Sequence, residues 1–236
     1  MPFFAFENVT GLNEEPHRER FLALVEKLEE AGFTVAETTL NATTFGVPQN
    51  RVRVILVGLN KQLFGGRKWV PPSPPRAPEH KLTVRHAIQE LPEPTYYRRG
   101  LSSSEIGHHP NHWCMVPKSR KFTTEGALGV KNNGNRSFKT LDWDKPSLTV
   151  AYGNREVHVH PNCHRRLSVY EAMLLQGFPD TYQLLGTMSS QITQVSEAVP
   201  PPMAEGIANA IKVQTEEDRV DLSNQTTDAV SELIAA

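Results

Sequence analysis

The spacing of hydrophobic and polar residues changes several times along the N-terminal part of the chain. An apolar run at 3–6 ends abruptly at Glu7, which predicts a buried strand that delivers an acidic side chain to the end of a sheet. Residues 17–32 carry apolar side chains at helical spacing and stop at a glycine, as an amphipathic helix does. Further strands are predicted at 33–40 and 51–59. A strand, a helix and two more strands indicate part of an α/β sheet.

The alternation around the last of these strands places three long hydrogen-bond donors on one side of the chain. Successive side chains of a strand point to opposite faces, so Gln49, Arg51 and Arg53 would share one face and Val52 and Val54 the other. An amphipathic strand with solvated or ion-paired arginines would have the same pattern. Ligands of open α/β sheets bind at strand ends, which makes this strand a candidate site.

Proline and glycine divide the remainder of the chain. The proline density of 60–82 predicts an extended connector and a domain boundary. A short helix is predicted at 83–91, and the irregular stretch 96–163 indicates loops on a small scaffold. Helices are predicted at 168–176, with a capping box at its start, and at 196–211, begun by prolines.

Composition narrows the class of protein without naming a function. The 236 residues include 38% hydrophobic ones, and 25 Lys plus Arg stand against 26 Asp plus Glu, for a formal net charge of -1. Global charge therefore gives no sign of nucleic-acid binding, although basic residues outnumber acidic ones between 60 and 166. The chain has neither an apolar run of about 20 residues nor a signal peptide, so no membrane contact and a cytoplasmic location are expected. The two cysteines are too few for a disulfide framework.

Four segments, in order, resemble motifs of DNA (cytosine-5) methyltransferases. They are Phe6-Glu7-Asn8-Val9-x-Gly11-Leu12, Phe45-Gly46-Val47-Pro48-Gln49-x-Arg51-x-Arg53, Arg165-Arg166-Leu167-Ser168-Val169-x-Glu171-Ala172-x-x-Leu175-Gln176-Gly177-Phe178-Pro179-Asp180, and Gln194-Val195-x-x-Ala198-Val199-Pro200-Pro201. The third resembles the motif that props the DNA-recognition domain, and the fourth the motif that folds back onto the cofactor domain. The resemblance, with four motifs in order, extends over nearly the whole chain, from residue 3 to residue 211.

The resemblance implies an enzyme that methylates carbon 5 of cytosine in double-stranded DNA, with S-adenosyl-L-methionine (AdoMet) as the cofactor. In this family a cysteine thiolate adds to carbon 6 of the base. By resemblance, Glu7 is the catalytic partner of N3 and Arg53 holds O2. Arg51 and Gln49 support the strand and the catalytic loop, and Asn8 supports Glu7. A capping or ion-paired acid is the alternative for Glu7.

Two expected features of the family are missing from the sequence. No Pro-Cys is present, and Cys114 and Cys163 lie in the recognition region, where neither is a good candidate for the nucleophile. No glycine-rich turn for a nucleotide cofactor is present either. Ser196-Glu197 replaces the usual Gly-Asn, which leaves Ala198 and Val199 as the AdoMet-binding candidates. The resemblance therefore suggests the C-terminal part of the family, a subunit of a split enzyme whose partner chain supplies the AdoMet fold and the cysteine.

The expected fold class is α/β, the second half of a Rossmann-like AdoMet-dependent methyltransferase sheet plus a small, irregular, mostly β target-recognition domain. The expected domains are the C-terminal half of the catalytic domain at 1–61, the target-recognition domain with its connector at 62–165, and a helical return at 166–212. An acidic tail at 213–236 is expected to be disordered.

Recognition of DNA and of a partner chain can be assigned to particular segments. The target base must be flipped out of the duplex, and loops between 95 and 160 would read the major groove. The candidate DNA contacts are Lys118, Arg120, Lys121, Lys131, Asn132, Asn133 and Arg136. A half domain would also expose apolar surface, around 3–6 and 203–211, to a second polypeptide in an obligate hetero-oligomer. The histidines match no common zinc spacing, and no metal site is expected.

Two other functions fit the sequence. A truncated, catalytically inactive methyltransferase could serve as a DNA-binding or partner-binding module, and an RNA-directed relative could use the same core. A neighbouring reading frame with a glycine-rich turn and a Pro-Cys would favour a split enzyme of a prokaryotic restriction-modification system, associated with the nucleoid.

Overall fold

The computed structural model describes residues 1–73, 81–132, 138–149 and 158–216. The chain divides into two compact units. The sheet unit consists of Met1–Asn41, Val52–Pro74 and Ala204–Ala236. The loop-rich unit consists of Ala42–Arg51 and Pro75–Met203. The domain boundaries that the sequence analysis places after residues 61, 165 and 212 stay predictions.

Long strands occur in the sheet unit, whereas the strands of the loop-rich unit have two residues each. The strands are β1 (Phe3–Asn8), β2 (Phe33–Asn41), β3 (Gln49–Asn50), β4 (Val52–Asn60), β5 (Thr95–Tyr96), β6 (Trp113–Cys114) and β7 (Ser147–Leu148). The helices are α1 (His17–Glu30), α2 (Val84–Ile88), α3 (Val169–Leu175), α4 (Met188–Glu197) and α5 (201–216). Short 3-10 turns lie at Thr10–Asn13, Ala42–Phe45, Ser103–Glu105, Arg120–Phe122 and Val130–Asn132.

Strand β4 is the centre of a three-stranded antiparallel sheet with the order β1-β4-β2. On one face of β4, Ile55 and Val57 are fully buried. On the other face, Val54 and Leu56 pack in a core with Phe21 of α1. Burial on both faces explains why the β4 sequence is a continuous apolar run.

Gly58 of β4 makes room for an aromatic ring. It lies opposite Phe4 of β1, and a Cβ atom at Gly58 would be 2.1 Å from Cε1 of the Phe4 ring. That ring meets the edge of Phe33 in β2, with a centroid distance of 5.2 Å. A side chain at position 58 would therefore displace the ring that joins all three strands on this face.

In its described residues, the loop-rich unit contains the helices α2, α3 and α4 and two short parallel strand pairs. Strand β3 pairs with β7, and β5 pairs with β6. Its core contains buried side chains of α2, α3 and α4 together with residues of the connecting loops. The core residues of the helices are Val84, Ile88, Val169, Tyr170, Ala172, Met173, Leu175, Met188, Ile192 and Val195. Side-chain packing, rather than a sheet, therefore holds this unit together.

A buried ion pair holds the start of α3. Arg165 and Glu171 are 2% and 1% exposed, and the Arg165 guanidinium donates to both Glu171 oxygens at 2.9 and 2.8 Å. The same carboxylate accepts the backbone N–H of Ser168 at 2.6 Å, while the Ser168 hydroxyl accepts the N–H of Glu171 at 3.0 Å. Arg165 also donates to the exposed carboxylate of Glu93 at 2.8 Å. The predicted capping box is confirmed, and it contains a charge network that the sequence analysis did not anticipate.

Local patterns of the sequence predict several elements correctly. Helix α1 and strand β2 lie where the residue spacing places them, and α2 lies within the predicted helix at 83–91. Helix α4 was not predicted, and its last residues overlap the expected start of a helix at 196. The helix begun by prolines instead starts at 201.

The predicted single strand from Gln49 to Arg53 is wrong. Gln49 and Asn50 pair with residues 147 and 148 of the loop-rich unit, while the strand that pairs with β1 and β2 starts at Val52. Arg51 belongs to neither strand, and its backbone N–H donates to the Gln49 carbonyl at 3.1 Å. The backbone pairing therefore changes at Arg51, although the side chains of Gln49, Arg51 and Arg53 are all buried.

Removal of the charge on Glu171 should destabilise the loop-rich unit. We expect Glu171→Gln to lower the free energy of unfolding by about 3 kcal/mol, because the buried Arg165 guanidinium then loses its counter-ion. Glu93→Gln is the matched control, since it removes an exposed partner of the same arginine and should cost under about 1 kcal/mol. Urea unfolding followed by circular dichroism measures both, and equal losses would contradict the assignment.

The buried histidines should make the protein sensitive to acid. Burial lowers the pKa of His160 to about 4 and also lowers the pKa values of His109, His112 and His158. Between pH of about 6.5 and about 4, the unfolded state binds a proton at position 160 that the folded state does not bind, so stability falls as pH falls. We expect His160→Gln to reduce this loss by on the order of 2 kcal/mol in urea titrations at several pH values. A pH profile that His160→Gln leaves unchanged would contradict this assignment.

Candidate functional site

Glu7 and Arg53 lie together on one face of the sheet. Glu7 in β1 is opposite Ile55 in β4, and Arg53 is two residues before Ile55, so the two side chains are diagonal cross-strand neighbours. The Arg53 Nε atom lies 2.8 Å from Oε1 of Glu7, and the side chains are 11% and 26% exposed. Within the described residues Oε1 accepts no well-directed hydrogen bond. Oε1 is itself buried, so the carboxylate is neutralised by the charge of Arg53 without a well-directed hydrogen bond.

The surroundings of the pair fix its backbone. Arg53 also donates from Nη1 to the Val52 carbonyl at 2.7 Å, which holds the guanidinium beside the start of β4. Asn8 follows Glu7, and its Oδ1 accepts the backbone N–H of Val9 at 2.8 Å. Asn8 thus forms a turn at the end of β1, directly after the acidic residue, and its supporting role stays a prediction.

Arg51 and Gln176 hold the C-terminal end of α4 within the loop-rich unit. Arg51 is 2% exposed and donates from Nη2 to the Ser196 carbonyl at 3.1 Å. Gln176 is fully buried, and its Nε2 donates to the carbonyls of Val195 at 2.8 Å and Ala198 at 2.7 Å. The last carbonyls of a helix have no partners inside the helix, and a cation near them is favourable. The sequence alone did not predict this role of Gln176. The one signal for it was the place of Gln176 in the motif at 165–180.

The remaining predicted site residues of the loop-rich unit lie near these two. Gln49 is fully buried in β3, and within the described part of the chain neither atom of its amide group has a hydrogen-bond partner. Ala198 follows the last residue of α4, and Val199 follows Ala198. The catalytic role of Arg51 and the cofactor contacts of Ala198 and Val199 stay predictions.

Neither cysteine is an activated thiol. Cys114 is buried in β6, and burial raises the pKa of its thiol to about 12. Cys163 is partly buried, its Sγ donates to the Pro161 carbonyl at 3.4 Å, and burial raises its pKa as well. The thiolate is the reactive form of cysteine, and both environments disfavour it.

Three of the predicted DNA contacts share one exposed turn. Lys118, Arg120 and Lys121 are exposed around the 3-10 turn Arg120–Phe122. Lys131 is exposed in the turn Val130–Asn132, which also contains the backbone of Asn132. The predicted contacts Asn133 and Arg136 lie outside the described residues.

Residues 1–73, 81–132, 138–149 and 158–216 contain neither a cluster of metal ligands nor a membrane-spanning helix. In these ranges, no three His, Cys, Asp or Glu side chains are grouped so that they could hold a metal ion. The helices in the same ranges are too short or too polar to cross a bilayer.

Comparison with known protein families gives one match over most of the chain. The family model described as C-5 cytosine-specific DNA methylase matches residues 2–213. The chain is 33% identical over 233 residues to the type II methyltransferase M.NmeDI of Neisseria meningitidis serogroup C, covering 89% of this chain and 53% of that protein. It is 33% identical over 236 residues to M.MthTI of Methanothermobacter thermautotrophicus, covering 91% and 67%. The chain thus spans about half to two thirds of the length of these relatives.

Solved structures agree on the α/β methyltransferase fold. A prophage-encoded E. coli protein described as a DNA modification methyltransferase superposes with a TM-score of 0.67 at 18% identity, covering 91% of this chain and 70% of the other. The Dnmt2 methyltransferase of S. pombe superposes with a TM-score of 0.53 at 14% identity, covering 92% and 67%. At these identities the likeness concerns the fold.

The comparisons correct one expectation from the sequence. The motifs suggested the C-terminal part of the family, as one subunit of a split enzyme. The family model instead matches residues 2–213, and about 90% of the chain aligns from the N-terminus of the homologues. The assignment to the C-terminal part is therefore wrong. The order of motifs establishes their succession but not their position in a longer relative, which is why the pattern misplaced the chain.

Alkylation should separate the two thiols by burial. We expect iodoacetamide at pH of about 8 to leave Cys114 unmodified in the folded protein, because little of its thiol is ionised and the side chain is covered. Cys163, which is less buried, should react faster, and both should react in urea. Mass spectrometry of tryptic peptides measures the two sites. Modification of Cys114 as fast as that of Cys163 in the folded protein would contradict the assignment.

Proposed function

This chain belongs to the C-5 cytosine-specific DNA methylase family, and we propose from that premise that it supplies the target-base pocket and the DNA-recognition surface of an AdoMet-dependent DNA cytosine-5 methyltransferase. The relatives that are type II methyltransferases favour a restriction-modification role. The observation that carries the proposal is the Glu7–Arg53 ion pair, in which the Glu7 side chain is 26% exposed. The substrate is cytosine in duplex DNA of a prokaryotic cell.

The pair offers the two kinds of contact that cytosine requires. The carboxyl group of Glu7 would meet N3 and the exocyclic amine, and the guanidinium of Arg53 would donate to O2. When a thiolate adds to carbon 6, electron density moves onto N3 and O2, and carbon 5 becomes nucleophilic. A proton held between Glu7 and N3, together with the positive charge of Arg53, would stabilise that change.

The base must leave the double helix before these contacts form. Stacking covers carbons 5 and 6 within a duplex, so enzymes of this kind extrude the target nucleotide. Glu7 is 26% exposed and precedes the turn at Asn8, which suits an acid that must be reached by an extruded base. Asn8 would keep the strand end in place during that approach.

AdoMet would supply the methyl group that carbon 5 receives. Ala198 and Val199 would contribute to the wall of its site, with their backbone held by the contacts of Gln176 and Arg51 to the end of α4. The Ala198 carbonyl already accepts a hydrogen bond from Gln176, so apolar contact is the role that fits these two residues.

The thiol nucleophile and most of the AdoMet fold would come from polypeptide outside these 236 residues. The absence of Pro-Cys from the sequence and the raised pKa values of both thiols support this part of the proposal. In the described residues β1 pairs only with β4, and its Phe3 and Phe6 are each 38% exposed. An apolar edge strand is a template for the addition of another strand. A split enzyme, in which a partner chain pairs with β1, is the arrangement that can be tested directly.

The two units correspond to the two proposed roles, methyl transfer and DNA recognition. We assign the sheet unit to a Rossmann-like AdoMet-dependent methyltransferase sheet and the loop-rich unit to target recognition. The support is the fold likeness to methyltransferases and the group of exposed cations on the loop-rich unit.

Replacement of Glu7 should abolish methyl transfer without loss of folding. We expect Glu7→Gln to reduce the rate by at least about 100-fold, because an amide cannot exchange a proton with N3. The assay combines this chain with duplex DNA, labelled AdoMet and a polypeptide that carries the glycine-rich turn and the Pro-Cys. Glu37→Gln is the control, since Glu37 is a β2 carboxylate that contacts Asn13 and Arg18.

Three outcomes are informative. Transfer by the mixture and by neither component alone supports the proposal. Transfer by this chain alone, or full activity of the Glu7→Gln variant, would contradict it. DNA binding without transfer in any mixture would favour a catalytically inactive DNA-binding module.

A further inference from the structure

A short turn in the loop-rich unit presents three cations from a fixed backbone. The hydroxyl of Ser119 accepts the backbone N–H of Lys121 at 3.3 Å and so caps the start of the turn. At its other end, the Arg120 carbonyl accepts the hydroxyls of Thr123 at 3.0 Å and Thr124 at 2.9 Å. These bonds reduce the freedom of the backbone at both ends. The exposed cations of the turn are Lys118, Arg120 and Lys121.

Two aromatic rings connect this turn to other residues of the loop-rich unit. The Phe122 and Phe138 centroids are 5.8 Å apart. The Lys121 Nζ lies 4.7 Å from the Phe138 centroid, and the Arg166 Cζ lies 4.9 Å from the same centroid. Two cations thus share one ring, each within cation–π distance. We call the group of Lys118, Arg120, Lys121, Lys139 and Arg166 around these rings the cationic turn.

Four members of the cationic turn have no acidic counter-charge among the described residues. No carboxylate of these residues lies within ion-pair distance of Lys118, Arg120, Lys121 or Lys139, which are four of its five members. Elsewhere, ion pairs hold Arg18, Arg53, Arg85, Arg98 and Arg165. Burial and then the positive charges of Lys139 and Arg166 lower the pKa of the nearby His158. Like charges gathered without counter-ions repel one another, and an external anion would relieve that repulsion.

We propose that the cationic turn binds the phosphate backbone of duplex DNA and sets the position of the loop-rich unit without reading bases. The inference rests on the proposed function for its choice of duplex DNA as the ligand. Lysine is a point charge that suits phosphate, whereas base reading relies on paired contacts by Arg, Asn or Gln. Lys121 is moreover held over Phe138, which fixes where its remaining donors can meet an anion.

The slope of affinity against salt tests this role directly. For duplex DNA, log K falls with log salt concentration by about 0.9 for each phosphate neutralised. We expect Lys121→Ala and Arg120→Ala each to reduce that slope by about 0.9, and the double variant by about twice as much. Fluorescence anisotropy with the full chain, over salt from about 50 to about 200 mM, measures the slope. Two duplexes of equal length and unrelated sequence should show the same change.

Three further variants separate phosphate binding from other roles. Lys145→Ala removes an exposed lysine that is paired with Asp142, and should leave the slope unchanged. Lys121→Arg keeps the charge and should retain the slope. Phe138→Leu removes the ring beneath two cations but keeps apolar volume, and should weaken binding to both duplexes equally. Unchanged urea midpoints for the lysine and arginine variants would show that folding is intact.

Several results would overturn the proposal. These are an unchanged slope in both alanine variants, a loss confined to one of the two duplexes, or duplex RNA bound as tightly as duplex DNA. Failure of the full chain to bind DNA would overturn it too. Methyl transfer does not enter this measurement, so a failure of the proposed catalysis leaves a positive salt result standing, and the two can be told apart.

Discussion

The sheet unit depends on β4 having a hydrogen-bonded neighbour on each side. Its burial on both faces makes it the rigid element of the unit. The position of Arg53, near the start of β4, depends on how firmly this strand is held. Glu7 comes from a different strand, yet the register brings it diagonally beside Arg53. The chemistry proposed for the base thus rests on cross-strand pairing, in which the backbone positions the two side chains and the ion pair adds neutralisation of charge.

In the loop-rich unit, buried polar side chains fix the backbone by hydrogen bonds, as the pairing of strands does in the sheet unit. Arg51 and Gln176 satisfy three carbonyls around the end of α4, and Arg165 joins the capping box of α3 to Glu93. Each of these side chains is long and buried and donates to at least one backbone carbonyl. Such contacts fix loops without regular pairing, because a buried polar group that loses its partner is costly. Surface loops remain free to differ in sequence on this internal frame, which suits a unit proposed to recognise DNA.

Local signals account for much of what the sequence predicted correctly. The helical spacing of α1 and the Ser168 and Glu171 capping box involve residues within a few positions of one another. Glu7 and Arg53 were placed together by family resemblance, and the structure joins them through register. The break at Arg51 depends on a strand partner near residue 147, and the Phe138 ring beneath Lys121 is also distant in sequence. No periodicity within a short window contains such information, and the position of the motifs within longer relatives required alignment.

The contact between Gly58 and Phe4 also has a consequence for folding fidelity. Side chains alternate between faces, so a slip of β1 by one residue against β4 would move Glu7 to the face that packs against α1 and separate it from Arg53. The same slip would drive the Phe4 ring into a neighbouring residue that has a side chain. The missing side chain of Gly58 therefore favours the observed pairing of β1, in which the Phe4 ring has room, and so helps to keep Glu7 beside Arg53.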